Sequence, residues 1–185
     1  MEIQKLIRAR RSVMPDQYID KEIPKGIIDQ ILAAANWAPT HKKTEPSRFK
    51  VISGDAKARL GEFLAEKFKE TATTFSEFKY NKLKENPKKA AAIIAICMQK
   101  DAKQRVPEWE EVAAVAMAVQ NMWLVATDLE IGSYWSSPAL IDEMGSFFDL
   151  KDGEKCLGFF YMGYYHTPSP DRTPGAIEDK VTWLQ

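Results

Sequence analysis

Cysteine and histidine are scarce in this 185-residue sequence, which contains two of each. Cys97 and Cys156 each lie inside an apolar, strand-like run, so we expect two buried reduced thiols rather than a disulfide. The cysteines and histidines do not follow the spacing that zinc ligands require. The sequence therefore argues against a disulfide scaffold and against a metal site.

The sequence also lacks long apolar runs and an excess of charge of either sign. Lysine and arginine together number 26, as do aspartate and glutamate, so net charge does not draw the chain to nucleic acid or acidic membranes, although a local basic pocket is not excluded. The longest apolar stretches, near residues 90–98 and 112–119, are too short to span a bilayer, and the N-terminus lacks a signal-peptide core. We therefore expect a soluble, cytoplasmic protein with neither nucleic acid nor membrane as a partner.

The chain has no internal repeat, low-complexity segment or Gly/Ser linker, so residues 1–185 are interpreted as a single domain. Helical and strand-like patterns alternate along it, which predicts helices packed around a central sheet. Apolar periodicity predicts helices that begin near residue 3, at Pro24, after Gly54 and at Glu108, and strands at 49–53, 90–98, 132–135 and 156–164.

The longest predicted element is the helix from Glu108 to Leu129. Apolar residues cover too much of its circumference for a surface helix, so we expect it at the centre of the fold or at an interface. After it, Ser137 and Pro138 are the residue types of an N-cap and a first helical position, and they predict a helix that extends to about Phe148.

The C-terminal segment is rich in proline but ends in an alternating stretch at residues 180–184. A strand at this position needs a sheet edge to pair with. Either the chain itself or a two-fold partner could supply that edge. The stretch is therefore compatible with a dimer.

The first candidate site is the triplet Arg10, Arg11 and Ser12, which follows the first predicted helix. Two guanidinium groups and a hydroxyl can hold a phosphate or a polarised carbonyl through charge-assisted hydrogen bonds. The alternative is a solvated basic turn, since arginine is common at helix C-termini. Far along the chain, Arg172 lies in the proline-rich tail, where a lone arginine is usually solvated.

A second candidate is the polar loop 37–46, which connects a helix to a strand and is stiffened by Pro39 and Pro46. His41 could contact an anionic or aromatic ligand, or it could be an exposed residue without a role. Trp37, at the end of an apolar helix, fits packing as well as ligand contact.

A third candidate is the segment Gly-Ser-Tyr-Trp-Ser-Ser-Pro at residues 132–138. A strand that leads through serines into a helix presents backbone N–H groups and hydroxyls to an anion or to ring heteroatoms. The alternative is that Ser137 only caps the helix. Each candidate site is inconclusive when it is taken alone.

Taken together and in order, these segments resemble the FMN-dependent nitroreductase family, particularly its compact members, over nearly the whole chain. The resemblance rests on Arg-Arg-Ser at 10–12, Ala-Ala-Asn-Trp-Ala-Pro-Thr-His-Lys-Lys at 34–43, Thr-Glu-Pro-Ser-Arg-Phe-Lys-Val-Ile at 44–52, Val-Pro-Glu-Trp-Glu-Glu at 106–111, the segment 132–138, Leu-Gly-Phe-Phe-Tyr-Met-Gly-Tyr at 157–164, and an arm with Arg-Thr-Pro at 172–174 and Lys-Val-Thr-Trp-Leu at 180–184.

The resemblance implies an α+β fold, with a mixed sheet sandwiched by helices. It also implies an intertwined homodimer whose C-terminal arms, about residues 165–185, reach over the partner, with FMN bound between the two subunits. The residues that match FMN-binding positions of the family are Arg10, Arg11, Ser12, Trp135, Ser136 and Ser137. Trp37 and His41 match positions that approach the flavin from the other subunit. Arg172 lies near the position where many relatives have a basic residue that binds the phosphate.

By the same resemblance, the protein is expected to pass hydride from NADH or NADPH through the flavin to a nitroaromatic, a quinone or a related small acceptor. The flavin carries this chemistry, so no side-chain nucleophile is needed. Glu45 and Ser47 stand where relatives often carry glutamine and tryptophan, a departure that affects the substrate pocket.

Two alternatives stay open at this point. The first is a flavin-binding carrier or sensor without efficient turnover. The second is a helical interaction module in which Met117, Met122 and Trp123 form a groove for a partner.

Overall fold

The computed structural model describes residues 2–166 and 170–185, so residues 167–169 of the predicted arm lie outside the described part of the chain. The helices are α1 (Ile3–Ala9), α2 (Lys25–Ala35), α3 (Asp55–Thr71), α4 (Glu77–Lys89), α5 (Glu108–Asp128) and α6 (Met144–Phe148). The strands are β1 (Ser47–Ile52), β2 (Ala92–Gln99), β3 (Gly132–Ser136) and β4 (Glu154–Gly163). Short 3₁₀ turns lie at Pro15–Gln17, His41–Lys43, Ile141–Glu143 and Glu178–Lys180.

The four strands form one sheet in the order β1-β2-β4-β3, and every neighbouring pair is antiparallel. The predicted α+β class is confirmed. Within the described residues, the parallel part of the expected mixed sheet is limited to a single bridge between Ser12 and Ser133. That bridge places the segment after α1 beside β3.

Strand β2 lies at the centre of the sheet and is covered on both faces. Ile94 and Ile96 point into a core formed with α2 and α5, whereas Ile93 and Cys97 point into a second core formed with α3 and α6. An almost continuous apolar run is typical of a strand with two buried faces, and the strand predicted at residues 90–98 is confirmed. Cys97 lies opposite Cys156 of β4, and both are buried and carry free thiols, as predicted.

Helix α5 packs against α2 and the sheet, which confirms its predicted central position. Met122 is fully buried, and Trp123 makes an edge-on contact with Phe160, with the ring centroids 5.7 Å apart. A groove that contains these residues is therefore filled by the chain's own core, which contradicts the interaction-module alternative. Trp109 and Met117 remain exposed on the outer side of the helix.

The predicted helix at Ser137 and Pro138 is wrong at its start. The Pro138 carbonyl accepts a hydrogen bond from the Ile141 N–H (3.1 Å), which closes a turn, and α6 begins only at Met144 with Glu143 at its N-cap. A Ser-Pro pair suits a turn as well as a helix start, and here the turn forms first.

The predicted strand at residues 180–184 does not form within a single chain. Trp183 and Leu184 are 84% and 93% exposed, respectively. Apolar side chains at the end of an arm that pairs with no edge of its own sheet need another surface to cover them. The exchange of arms between subunits remains a prediction.

None of the helices in residues 2–166 and 170–185 combines the length and the apolarity needed to cross a membrane.

Candidate functional site

Two of the candidate segments run side by side. The Val13 N–H donates a hydrogen bond to the Ser133 carbonyl (3.1 Å), and Ser12 forms the parallel bridge to Ser133. Both segments then continue in the same direction, one towards Met14 and the other towards Ser136. The contact between Ser12 and Ser133 thus brings together regions that are 121 positions apart in the sequence.

A positively charged cavity of about 1050 Å³ opens where α1 ends and the C-terminal arm returns. Three predicted site residues, Arg10, Arg11 and Arg172, line it together. The other charged residues in the lining are Lys5, Arg8 and Asp171. Five cationic side chains therefore face one acidic side chain, a balance that suits a ligand with negative charge.

Among residues 2–166 and 170–185, no carboxylate forms an ion pair with Arg10. Burial lowers the pKa of its guanidinium, and the positive charges of Arg11 and Arg172 lower it further. The guanidinium lies over the ring of Trp123, 4.5 Å from the ring centroid, which holds it by a cation–π contact. A phosphate bound here would relieve the repulsion among the three arginines.

Arg11 is engaged mainly by the protein itself. Its guanidinium donates to the carbonyls of Arg8, Arg10 (3.0 Å) and Pro170 (3.2 Å), and it lies 3.7 Å from a carboxylate oxygen of Asp171. These contacts tie the C-terminal arm to the end of α1. Arg11 therefore shapes the wall of the cavity, and Arg10 and Arg172 are better placed to meet a ligand.

A second cavity, of about 680 Å³ and mostly apolar, lies further along the same segment. Met14 and Pro15 line it from the chain after α1, and Ser136 and Pro138 line it from the end of β3. The remaining lining includes Phe78, Lys79 and Lys82 of α4 and the stacked pair Tyr134 and Tyr161, whose ring centroids are 5.2 Å apart. Both predicted flavin segments thus contribute to one apolar cavity.

Within the Trp-Ser-Ser triplet, the side chains have different surroundings. Trp135 packs against the core on the α5 side of the sheet, and its indole N–H donates to the Leu157 carbonyl (3.2 Å). Gly158 allows this contact, because a Cβ there would lie 2.4 Å from the indole nitrogen. Ser136 is the member that lines the apolar cavity, and Ser137 follows in the turn.

The remaining predicted residues, Trp37 and His41, line neither of these cavities. Trp37 is 86% exposed. His41 lies at a separate cleft of about 380 Å³ beside the start of α5, where its Nδ1 is 2.5 Å from a carboxylate oxygen of Glu110. That these two residues approach a flavin from the other subunit remains a prediction.

The loop that carries His41 is held in an unusual backbone conformation. Lys42, Lys43 and Glu45 all have positive φ angles, between 44° and 54°, although none is glycine. Reciprocal hydrogen bonds with Arg105 hold the loop: the Lys42 ammonium donates to the Arg105 carbonyl (2.9 Å), and the Arg105 guanidinium donates to the Lys42 carbonyl (3.3 Å). Strain of this kind persists only where the surroundings enforce it.

Three residues that border the candidate sites were not predicted. Trp123 supports Arg10, Phe78 lines the apolar cavity, and Glu110 binds His41. Trp123 and Glu110 belong to α5 and Phe78 belongs to α4. Sequence alone does not show which candidate segment each of them meets, because each reaches its place only through the fold. Trp123 also donates its indole N–H to the Arg11 carbonyl (3.2 Å), so it supports both arginines.

The cavities fit a phosphorylated aromatic cofactor such as FMN. The basic cavity offers guanidinium groups with unbalanced charge, which suits a phosphate, and the apolar cavity offers aromatic walls, which suit a planar ring. One short stretch of chain, residues 10–16, contributes to both. Between them, the two cavities offer surroundings that suit the two ends of such a cofactor.

Comparison with known proteins gives one consistent family. The model of the Nitroreductase family matches residues 7–164. A Bacillus subtilis protein, YfhC, provisionally named an NAD(P)H nitroreductase, is 28% identical over 175 residues, which cover 93% of this chain and 86% of that protein.

Solved structures agree with this match. A nitroreductase-like family protein from Bacillus cereus aligns with a TM-score of 0.85 and 24% identity, covering 100% of this chain and 97% of the other. A protein from Desulfovibrio desulfuricans, provisionally assigned as a nitroreductase and solved in complex with FMN, aligns with a TM-score of 0.76 and 21% identity, covering 100% and 98% of the two chains. At these identities the likeness establishes the shared fold.

Proposed function

The chain belongs to the Nitroreductase family, and from this premise we propose that it is an FMN-dependent oxidoreductase. It takes hydride from NADH or NADPH and passes the electrons to a small acceptor such as a nitroaromatic or a quinone. The names of its relatives and the FMN complex of the Desulfovibrio desulfuricans protein support this proposal.

One observation carries the proposal. The arginine cavity and the apolar cavity both take residues from the segment 10–16, and in this proposal they receive the phosphate and the ring of one FMN molecule. NAD(P)H and an acceptor would then react in turn at the same ring, without a nucleophile from the protein.

The side chains have separate tasks in this scheme. The flavin ring supplies the hydride chemistry when FMN is bound. Arg10 and Arg172 hold the phosphate, and Arg10 is kept in place by the face of Trp123. Tyr134, Tyr161 and Phe78 exclude water from the ring, which strengthens the polar contacts that remain.

The active form in this proposal is a homodimer. Trp37 and His41 line neither cavity within one chain, and in this proposal they complete the flavin site of the partner subunit. The arms would cross the dimer, and the partner subunit would cover the exposed Trp183 and Leu184 at their ends. Interfaces of this kind bury large apolar side chains at their centre.

The proposal is tested by loading the purified protein with FMN and measuring the dissociation constant from the quenching of flavin fluorescence. The double variant Arg10→Ala, Arg172→Ala should bind FMN at least about 100-fold more weakly, since two charge-assisted contacts contribute roughly 1.5–3 kcal/mol each. Arg59→Ala, which removes an exposed arginine on α3, is the matched control. A double variant that purifies fully loaded with FMN would overturn the assignment.

Turnover distinguishes the enzyme from a flavin carrier. The FMN-loaded protein should oxidise NADH or NADPH steadily when a quinone or a nitroaromatic is present. Tight FMN binding without steady oxidation of either nucleotide would instead support the carrier or sensor.

A further inference from the structure

The cleft at the start of α5 contains a histidine–carboxylate pair at an exposed apolar surface. His41 and Glu110 line this cleft. The other lining residues are Pro39, Thr40, Trp109, Ala113, Ala114 and Met117. Trp109 and Met117 are exposed, so the pair sits among apolar side chains that the chain itself leaves uncovered.

The contact between the two side chains determines which ring nitrogen carries a fixed proton. The Nδ1 of His41 lies 2.5 Å from a carboxylate oxygen of Glu110. A carboxylate can only accept, so Nδ1 is the donor and keeps its proton. Among the described residues, Glu110 is the hydrogen-bond partner of this ring, and Nε2 is left to meet a ligand.

Both partners are held by elements that leave them little freedom. Glu110 belongs to the first turn of the 21-residue helix α5. His41 opens the loop that Arg105 holds through its reciprocal hydrogen bonds with Lys42. A contact between partly exposed side chains contributes little to stability, so stability alone does not explain this pairing.

We propose that Glu110 is a positioning residue for His41: its carboxylate fixes the Nδ1–H form of the ring and presents Nε2 to the flavin held by the partner subunit. This inference rests on the proposed function. Carboxylate–histidine pairs of this kind set the tautomer and the orientation of a histidine that binds something at its other nitrogen.

The test compares three variants with the wild-type protein. Glu110→Ala removes the acceptor, and Glu110→Gln keeps a neutral acceptor oxygen in the same place. Glu108→Ala is the matched control, because Glu108 lies in the same helical turn but pairs with Lys155 and Lys100.

Two measurements are made on each variant. Long-range proton–nitrogen NMR spectra of the histidine rings, with His41→Gln used for assignment against His166, report which nitrogen carries the proton. Quenching of flavin fluorescence reports the dissociation constant of FMN.

In Glu110→Ala the ring of His41 should change from the Nδ1–H to the Nε2–H form, and FMN should bind roughly tenfold more weakly. Glu110→Gln should restore most of both properties, and Glu108→Ala should change neither. An unchanged tautomer in Glu110→Ala contradicts the proposal. So does a changed tautomer with an unchanged dissociation constant, because the pair then exists without serving the flavin.

A wild-type protein that binds no FMN contradicts the proposed function instead. The NMR spectra of that same protein still report whether the pair forms, so the two failures are distinguishable.

Discussion

Arg10 and Arg11 are adjacent in the sequence but have different electrostatic surroundings. Arg11 is compensated by backbone carbonyls and by Asp171, whereas Arg10 meets two other arginines and is supported by the ring of Trp123. A basic pair after a helix indicates an anion site, but it does not tell which arginine binds the anion. The difference comes from Trp123 and Asp171, which lie more than a hundred residues away.

At the same scale, Asp101 anchors the loop before α5. Its carboxylate accepts hydrogen bonds from the Arg105 guanidinium (2.9 and 3.0 Å) and from the Arg105 backbone N–H (3.0 Å). These contacts, with the side-chain hydrogen bond as the largest cause, lower the pKa of Asp101 from 3.8 to about 2.

Asp101→Asn should therefore destabilise the protein in a pH-dependent way. The folded state has the lower pKa, so the ionised carboxylate stabilises it above about pH 4, and this contribution is lost as the pH falls towards 2. The melting temperature of Asp101→Asn, followed by circular dichroism, should lie below that of the wild type at pH 7. The difference between the two melting temperatures should narrow as the pH falls from about 4 to about 2.

Asp20→Asn, in an exposed loop, serves as the control and should show no such trend. A difference in melting temperature between Asp101→Asn and the wild type that stays constant across this pH range would contradict the role given to Asp101.

Among the elements, those with a clear apolar pattern were predicted best. The run in β2 has a strand's length and charged ends, and the apolar surface of α5 exceeds what a surface helix needs, so both were placed correctly. The loop at residues 42–45 was not predictable, because its positive φ angles occur at lysine and glutamate rather than at glycine. A Ser-Pro pair likewise allows a turn as well as a helix start, which is why the helix after β3 was placed too early.

The candidate site could be predicted only as separate pieces. The Arg-Arg-Ser and Trp-Ser-Ser segments are continuous in sequence, and their residue types suit a phosphate and a flavin. Other walls of the apolar cavity, by contrast, come from α4 and β4, whose sequences do not mark them as parts of a cavity. Their contribution depends on packing between distant elements, and a single sequence does not record it.

The packing of α3 against α4 depends on one glycine. A Cβ at Gly61 would lie 2.2 Å from the backbone carbonyl oxygen of Lys84, which is far closer than real Cβ atoms approach. The two helices can therefore come together only where a side chain is missing. Since Phe78 on α4 lines the apolar cavity, this contact also places one wall of the candidate site.

Gly61→Ala should destabilise the protein by about 1–3 kcal/mol, because the two backbones must move apart. The matched control is Gly26→Ala in α2, where the added Cβ meets nothing within 4 Å. That change should be neutral or stabilising by about 0.5–1 kcal/mol, because alanine loses less backbone entropy in a helix than glycine does.

Urea unfolding of the two variants measures both effects. Equal stabilities for Gly61→Ala and the wild type would show that α3 and α4 are not in the close contact described.

At the scale of the whole molecule, several large apolar side chains are exposed, and those in two regions bear on assembly. Trp109 and Met117 lie on the outer side of α5, and Trp183 and Leu184 lie at the end of the arm. Monomeric proteins rarely expose groups of this kind unless a partner covers them. Both regions are accounted for if two chains pair and exchange arms.

The double variant Trp183→Ser, Leu184→Ser should weaken the dimer, because it removes apolar area that the partner would bury. Sedimentation velocity over a series of concentrations should show dissociation at a concentration where the wild type remains dimeric. Asp179→Asn, an exposed change in the same arm, should leave the dimer unaffected. A wild-type protein and a double variant that dissociate at the same concentration would contradict arm exchange.

The central claim is that two copies of this chain together enclose FMN, and sedimentation velocity of the FMN-loaded protein tests it most directly. Absorbance is followed both in the protein band and in the visible flavin band. The account predicts that the two signals move together as one boundary with the mass of a dimer, at one FMN per chain. Flavin that stays behind as free FMN while the protein sediments as a monomer would contradict it.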